Sequence, residues 1–192
     1  MDPLARLIGS PYRLKLLRLF FFNDDTAFSS ADAAFRSRTP KDAVRKELSV
    51  LLAAGIIKKR SGKQGMGYAA DKRFRHYFQL QEFLRTTTDI SDADMLTALK
   101  KAGTIRLVAL SGMFTGVLEA KVDMLIVGDK LEEKPLTSAI RFLEAELGRE
   151  LRYASFTTEE FRYRLGVYDR LLRDIFDYPH RMIVDRLGMT KS

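Results

Sequence analysis

The sequence contains no cysteine and no tryptophan, and it has two histidines among its 192 residues. Without cysteine, disulfides, zinc–thiolate sites and thiol chemistry are excluded. No apolar run approaches the ~20 residues that span a bilayer, so we expect no membrane partner. Arg6, Arg13 and Arg18 interrupt the first apolar stretch, which argues against a signal peptide. We therefore expect a cytoplasmic protein.

Motifs for the common cofactors are also missing. His76 and His180 lie in different halves of the chain, and neither has the spacing to other ligands that a metal site needs. The sequence contains no P-loop, no Rossmann fingerprint and no Gly-x-Ser-x-Gly motif. We therefore predict no cofactor and no metal.

The charge is distributed unevenly along the chain. The composition is 46% hydrophobic and 30% charged, as in ordinary globular proteins, and the net charge is +8. Residues 1–90 hold 17 Lys and Arg against 9 Asp and Glu, whereas residues 91–192 hold 16 of each. This asymmetry suggests that the first half meets a polyanion. A basic but inert solubility surface is the alternative.

The first half predicts helices followed by a hairpin. Apolar residues at helical spacing predict a helix over 10–22, and Ser29 and Ser30 are placed to cap a second, short helix. A third helix is predicted to begin with Thr39 as N-cap, Pro40 at the first helical position and Asp42 two residues later, and to end at Gly55. Residues 56–70 read as a β-hairpin with a glycine-rich basic tip, and residues 72–88 as a further helix.

The second half alternates between strands and helices. Predicted strands cover 105–110, 122–127 and 151–156, and predicted helices cover 92–102, 134–147, 169–177 and 180–187, with one more after Thr157. We place the domain boundary at the polar stretch 86–88. The expected fold is α+β, with a winged helix-turn-helix domain at 1–88 and a small α/β domain at 89–192.

The order of elements in the first half is that of a winged helix-turn-helix, in which the second helix of the pair enters the major groove of DNA. Arg45 is expected to pair with guanine, and Lys41 and Lys46 with phosphates. The hairpin is expected to add minor-groove or phosphate contacts. The predicted DNA-binding residues are Arg36, Arg38, Thr39, Lys41, Asp42, Arg45, Lys46, Arg60, Lys63 and Gln64. A solvated charged helix beside an ordinary turn is the alternative.

The stretch from Val44 to Tyr68 resembles the recognition helix and wing of ArsR-like repressors. The resemblance rests on Leu48, Leu51, Ala54-Gly55, Ile56-Ile57, Lys58 to Arg60, Gly62 and Tyr68, and it covers about residues 10–85. It implies sequence-specific binding of double-stranded DNA, usually as a homodimer. Metal sensing through cysteine thiolates is not carried over, because the chain has none.

Residues 105–128 resemble the minimal nucleotidyltransferase domain, within a resemblance that covers about residues 92–165. That family has a strand, a Gly-Ser turn and a second strand with Asp-x-Asp, whose paired carboxylates hold Mg²⁺. Here Ser111-Gly112 replaces the turn, and Lys121-Val122-Asp123 replaces the acidic pair. An ammonium group would oppose a divalent cation, so the resemblance implies the fold without its catalysis. Lys121 could instead meet a nucleotide phosphate, but we favour an exposed Lys121 and a locally hydrogen-bonded Asp123.

Together the two halves resemble bacterial transcriptional regulators that join a winged helix to such a degenerate domain. The second domain would serve dimerisation or ligand sensing, with a small-molecule or nucleotide effector left open. One alternative is an active nucleotidyltransferase that uses Asp123 with Glu119 or Asp129. Another is an antitoxin-like module whose second half binds a different protein.

Overall fold

The computed structural model describes residues 3–62, 65–117 and 119–189. The chain divides into two compact units: unit 1 is Met1–Ile90 with Arg141–Glu150, and unit 2 is Ser91–Ile140 with Leu151–Ser192. Both helices and strands are present, which confirms the α+β class. The sequence assigned residues 141–150 to the second domain, whereas their contacts group them with unit 1.

Unit 1 consists of helices followed by a hairpin and a further helix. The helices are α1 (Pro3–Ile8), α2 (Pro11–Phe22), α3 (Ser30–Ser37), α4 (Lys41–Ala53) and α5 (Tyr77–Thr87). The hairpin consists of β1 (Ile57–Gly62) and β2 (Gly65–Ala70), which pair antiparallel from Ile57 opposite Ala70. Phe28 extends this pairing by exchanging backbone hydrogen bonds of 2.8 and 2.9 Å with Tyr68.

Serine caps begin both α2 and α3, and the cap of α3 is one that the sequence predicts. The Ser10 hydroxyl accepts from the Arg13 N–H, and Pro11 occupies the first turn of α2. Ser29 and Asp32 form a reciprocal capping box at α3. These local hydrogen bonds explain why both helix starts could be recognised in the sequence.

The start of α4 differs from the prediction. Pro40, not Thr39, is the N-cap residue, and among the described residues no side chain caps this helix. Arg38 adopts a left-handed conformation (φ +51°) that closes α3, and Thr39 is turned inward, with its hydroxyl donating to Ser37 O at 3.3 Å. The other end is as predicted, because Gly55 (φ +68°) donates to Leu52 O in a Schellman turn.

Helix α5 begins at Tyr77, five residues later than predicted. Residues 71–76 form turns in which the Phe74 N–H bonds Asp71 O and the Tyr77 N–H bonds Phe74 O. Lys58 on β1 holds the Asp71 carboxylate at 3.0 Å. This ion pair joins the hairpin to the turns that precede α5.

The core of unit 1 lies between α2, α4, α5 and the hairpin. Its buried members include Leu17, Phe20, Phe21, Val44, Leu48, Leu51, Ile57, Tyr77 and Leu84. On α4 the buried residues Val44, Leu48 and Leu51 follow the 3.6-residue period, so one face of the helix packs and the other is left exposed.

Unit 2 is built around a four-stranded sheet of order β5-β4-β3-β6. Strand β3 pairs antiparallel with β4 and β6, and β4 pairs parallel with β5. The elements are α6 (Asp92–Leu99), β3 (Thr104–Leu110), β4 (Met124–Asp129), α7 (Glu133–Leu147), β5 (Tyr153–Phe156), α8 (Thr158–Gly166), α9 (Arg170–Phe176) and β6 (Arg181–Asp185). By the division given above, α7 begins in unit 2 and its last seven residues belong to unit 1.

The central strands are buried on both faces of the sheet. Leu107, Ala109, Leu125 and Val127 pack with Phe161 of α8 and with Leu172 and Ile175 of α9. The alternate residues Val108, Leu110, Met124 and Ile126 are buried as well. Burial of both faces explains why these strands are continuous apolar runs in the sequence.

The predicted helix over 180–187 is wrong, because residues 181–185 form strand β6. Ile183 and Val184 are β-branched, which favours a strand. Strand β6 is stabilised by its pairing with β3. A short apolar run does not reveal its period, and its pairing partner lies far away in the sequence. None of the helices among the described residues is both long and apolar enough to cross a membrane.

Candidate functional site

The exposed face of α4 carries the basic residues that the sequence predicts to contact DNA. Lys41 and Arg45 lie one turn apart on the same side of the helix, and both are exposed, as is Lys46. The opposite face is packed in the core of unit 1. The cations therefore lie on the side of α4 that faces solvent within unit 1.

Arg45 has a weak partner. Its Nη1 lies 3.4 Å from Asp42 Oδ1, with the two side chains 73% and 96% exposed. Such an exposed pair contributes about 0–1 kcal/mol. Exchanging Asp42 for an anion that binds more tightly would therefore cost the Arg45 guanidinium little free energy.

An ion pair with a buried carboxylate joins α4 to α2. Arg13 Nε donates to Glu47 Oε2 at 2.8 Å, and the Glu47 side chain is 6% exposed. Arg13 also donates through Nη1 to Ile8 O at 3.0 Å. Glu47 lies on the packed face of α4, so its contact with Arg13 helps to hold the helix that bears the exposed cations.

The hairpin adds two more exposed cations, Lys59 and Arg60. Arg60 donates to Asp25 O at 3.2 Å. Because this acceptor is a backbone carbonyl oxygen, the contact does not neutralise the charge of Arg60.

A groove of about 580 Å³ runs between the hairpin and the 25–36 segment; its lining includes Phe28, Asp32, Arg36, Arg60, Met66 and Gly67. Gly67 is required there, because a Cβ would lie 2.8 Å from Phe28 O. The predicted tip residues Lys63 and Gln64 lie outside the described residues.

The remaining predicted residues differ in accessibility. Arg36 and Arg38 are exposed at the end of α3. Thr39 is buried, at 5% exposure, and its hydroxyl donates a hydrogen bond to Ser37 O. The structure thus gives no accessible surface at Thr39 for the DNA contact that the sequence predicts, because its side chain packs under the turn.

Arg36 has a partner that the sequence did not indicate. Its Nη1 lies 2.7 Å from Glu150 Oε1, and its Cζ lies 5.4 Å from the centroid of the Phe28 ring. Glu150 follows α7 and is 114 residues away along the chain. No local pattern could have revealed this pairing, because it depends on residues 141–150 packing within unit 1.

In unit 2, Asp123 is fully buried, and both oxygens of its carboxylate accept hydrogen bonds. Oδ1 accepts from the Met113 N–H at 2.9 Å and from Arg152 Nη2 at 2.8 Å. Oδ2 accepts from the backbone N–H and the Nε of Arg152, both at 3.0 Å. Burial raises the pKa of Asp123, but these donors outweigh it and hold the pKa below its ordinary value.

The Ser111-Gly112 turn is shaped by the same carboxylate. Gly112 has φ +51°, and a Cβ there would overlap Asp123 Oδ1 at 2.2 Å. Ser111 is buried, and its hydroxyl has no hydrogen-bond partner within the described parts of the chain. The turn thus serves to bring the Met113 N–H to Asp123.

These residues do not fit a magnesium ion. The Arg152 guanidinium already neutralises Asp123 at both oxygens. Lys121 lies 2.8 Å from Asp174, and this pair is partly exposed. In the described ranges no three His, Asp or Glu side chains form a group that could hold a metal. The favoured interpretation, an exposed Lys121 and a locally bonded Asp123, agrees with this geometry.

In comparisons with known proteins, no family model, no curated protein and no solved structure matches this chain.

Proposed function

We propose that the protein is a cytoplasmic, homodimeric transcriptional regulator that binds double-stranded DNA through a winged helix-turn-helix in unit 1. The observation that carries the proposal is the exposed basic face of α4, together with the exposed cations Lys59 and Arg60 on the hairpin that follows this helix. A polyanion would bind these exposed cations more strongly than the weak contact between Arg45 and Asp42 does.

The order of elements supports this function. Helices α2 and α3 precede α4, and the hairpin follows it directly. Residues on which the resemblance to ArsR-like repressors rests have structural roles in unit 1: Leu48 and Leu51 are core residues of α4, and Gly55 ends that helix. In this arrangement α4 is the helix that enters the major groove.

The chemistry assigns different tasks to the cations. Arg45, near the middle of the exposed face, would donate in a bidentate manner to a guanine edge. Lys41 and Lys46 would bind phosphates on either side, and Arg60 would bind a phosphate from the hairpin. Thr39 has no part, because it is buried.

Unit 2 is proposed as a nucleotidyltransferase-like domain without catalysis. Support comes from the strand–turn–strand arrangement of β3, Ser111-Gly112 and β4, together with the capture of Asp123 by Arg152. A carboxylate that accepts from a guanidinium at both oxygens is unavailable to a metal. The domain would then serve dimerisation or ligand sensing.

Selection of bound sequences from a random pool of duplexes tests the function. We expect enrichment of an inverted repeat, because a two-fold dimer reads two half-sites about 10–10.5 base pairs apart. Light scattering on the same preparation should report a dimer. Failure to enrich any sequence, from a preparation that is folded by circular dichroism, would refute specific DNA binding.

A further inference from the structure

Arg36 lies between two different surroundings in unit 1. On one side it lines the groove beside the hairpin, which Arg60 also lines. On the other side it lines a cavity of about 150 Å³ together with Arg141, Glu144 and Glu150. Arg36 can therefore pair with either of two anions: the carboxylate of Glu150, or an anionic ligand that enters the groove.

Glu150 is held in place by contacts of the segment that precedes it. Asn23 Nδ2 donates to Gly148 O at 2.7 Å, and Lys15 Nζ pairs with Glu146 at 2.6 Å. Gly148 has φ +75°, and a Cβ there would lie 2.5 Å from Arg18 Cβ. The segment from Glu146 to Gly148 packs closely against α2 and Asn23. Glu150 therefore follows a structured segment that holds it near Arg36.

The Arg36–Glu150 contact is nevertheless weakly held. The two side chains are 39% and 70% exposed, whereas Glu47 in the structural pair with Arg13 is almost fully buried. Exposed ion pairs contribute little net free energy because water competes for both partners. A phosphate carries the same charge sign and accepts the same hydrogen bonds from a guanidinium.

We propose that Glu150 is an autoinhibitory residue: its carboxylate occupies Arg36 in place of a DNA phosphate and must be displaced when DNA binds. This inference rests on the proposed function. It adds that residues 141–150 regulate DNA affinity through one contact. Removing the negative charge at position 150 should raise DNA affinity, because it frees Arg36 to bind a DNA phosphate.

The test compares Glu150→Gln with Glu82→Gln in the full-length protein. Glu82 pairs with Arg85 at 2.7 Å on α5, so both variants remove one negative charge from an exposed pair of unit 1. The probe is a fluorescently labelled duplex of mixed sequence, titrated by anisotropy over a range of salt concentrations. Circular dichroism melting checks that both variants are folded.

We expect Glu150→Gln to bind about two- to fivefold more tightly than Glu82→Gln. The slope of log K against log salt should steepen by about 0.9, the value for one added phosphate contact. In the Arg36→Ala background the Glu150→Gln change should have no further effect, because the side chain that it frees is gone.

Two results would overturn the inference while leaving DNA binding intact. One is equal affinity of Glu150→Gln and Glu82→Gln; the other is a gain that persists in the Arg36→Ala background. If the wild-type protein bound no duplex even at low salt, the proposed function and this inference would fall together. A gain that requires Arg36 supports the inference.

Discussion

In unit 1, Lys41 and Arg45 are exposed on α4, whereas in unit 2 the motif carboxylate of Asp123 is buried and neutralised by Arg152. Lys121, the other charged residue of that motif, pairs with Asp174. The fold thus treats the two sets of charges differently. It leaves the charges of Lys41 and Arg45 accessible from solvent, and it neutralises the charge of Asp123 inside unit 2.

The buried carboxylates of the two units refine this contrast. Glu47 in unit 1 is buried like Asp123, and each is held by an arginine. A buried charge is tolerated only when it is paired and hydrogen-bonded. Unit 1 therefore has both kinds of charge on one helix: Glu47 anchors the packed face of α4, and Arg45 occupies the exposed face.

The largest effect is expected from Asp123→Asn. The variant places an amide donor against the Met113 N–H and the Arg152 guanidinium, so donors face donors. We expect a loss of about 2–4 kcal/mol in the free energy of unfolding of unit 2, less than for a fully buried pair because Arg152 is half exposed. Urea denaturation measures it.

Asp174→Asn is the matched control for that prediction. It removes a carboxylate of the same unit from the partly exposed pair with Lys121. The loss should stay below about 1 kcal/mol. Equal losses in the two variants would contradict a structural role specific to Asp123.

Glu47→Gln should destabilise unit 1 by about 1–2 kcal/mol, since the amide keeps one acceptor for Arg13 but loses the charge-assisted hydrogen bond. The position of α4 depends on this pair, so DNA affinity should fall as well. Urea denaturation and anisotropy titration on one preparation measure both. A variant that loses DNA affinity at wild-type stability would show that Glu47 acts through something other than anchoring.

Arg45→Ala should weaken specific DNA binding by about 1–3 kcal/mol and relax the preference at one base pair. Stability should be unchanged, because the side chain is exposed and its pair with Asp42 is weak. Arg85→Ala is the control: it removes an exposed arginine from α5 of the same unit. Mobility-shift titration in which both variants bind equally well would remove Arg45 from the interface.

Acid should destabilise both units. Burial raises the pKa of Asp71, but hydrogen bonds from Lys58 and Arg73 lower it to about 2, and the pKa of Asp123 is also lowered. Because the folded-state pKa of each aspartate lies below the unfolded-state pKa of about 3.9, the unfolded chain binds more protons than the folded chain. The stabilisation is therefore complete above that value and is lost as the pH falls through the folded pKa.

Denaturation midpoints measured between about pH 5 and pH 2 would check this prediction. Asp71→Asn should flatten the acid dependence of unit 1, and Asp123→Asn that of unit 2. A midpoint that rises as the pH falls through this range would have the wrong sign.

The smallest effect is expected from Lys121→Ala. Its pair with Asp174 is partly exposed, so the free energy of unfolding should change by about 0–1 kcal/mol. DNA affinity should not change, because the proposed interface lies in unit 1. A marked loss of DNA binding, seen by anisotropy, would mean that unit 2 also contacts the duplex.

Features with local causes could be predicted from the sequence. The capping boxes Ser29–Asp32 and Thr157–Glu160 and the glycine that ends α4 are set by residues within one turn of each other. The alternation of buried and exposed residues on α4 likewise follows from its own period. The exposed candidate cations could therefore be identified before the structure.

Features with distant causes could not be predicted. Strand β6 is stabilised by pairing with β3, and Arg152 lies 29 residues from the carboxylate that it neutralises. The burial of Thr39 follows from the left-handed turn at Arg38. The contact of Glu150 with Arg36 depends on tertiary packing of residues 141–150. In each case the decisive partner is outside the local pattern.

The salt dependence of duplex binding by the wild-type protein and the Lys41→Ala/Lys46→Ala double variant tests the central claim most directly. We predict that log K of the wild type falls linearly with log salt, and that the slope of the double variant is smaller by up to about 1.8, the value for two lost phosphate contacts. Identical slopes and affinities for the two proteins would contradict the claim that the exposed face of α4 binds DNA.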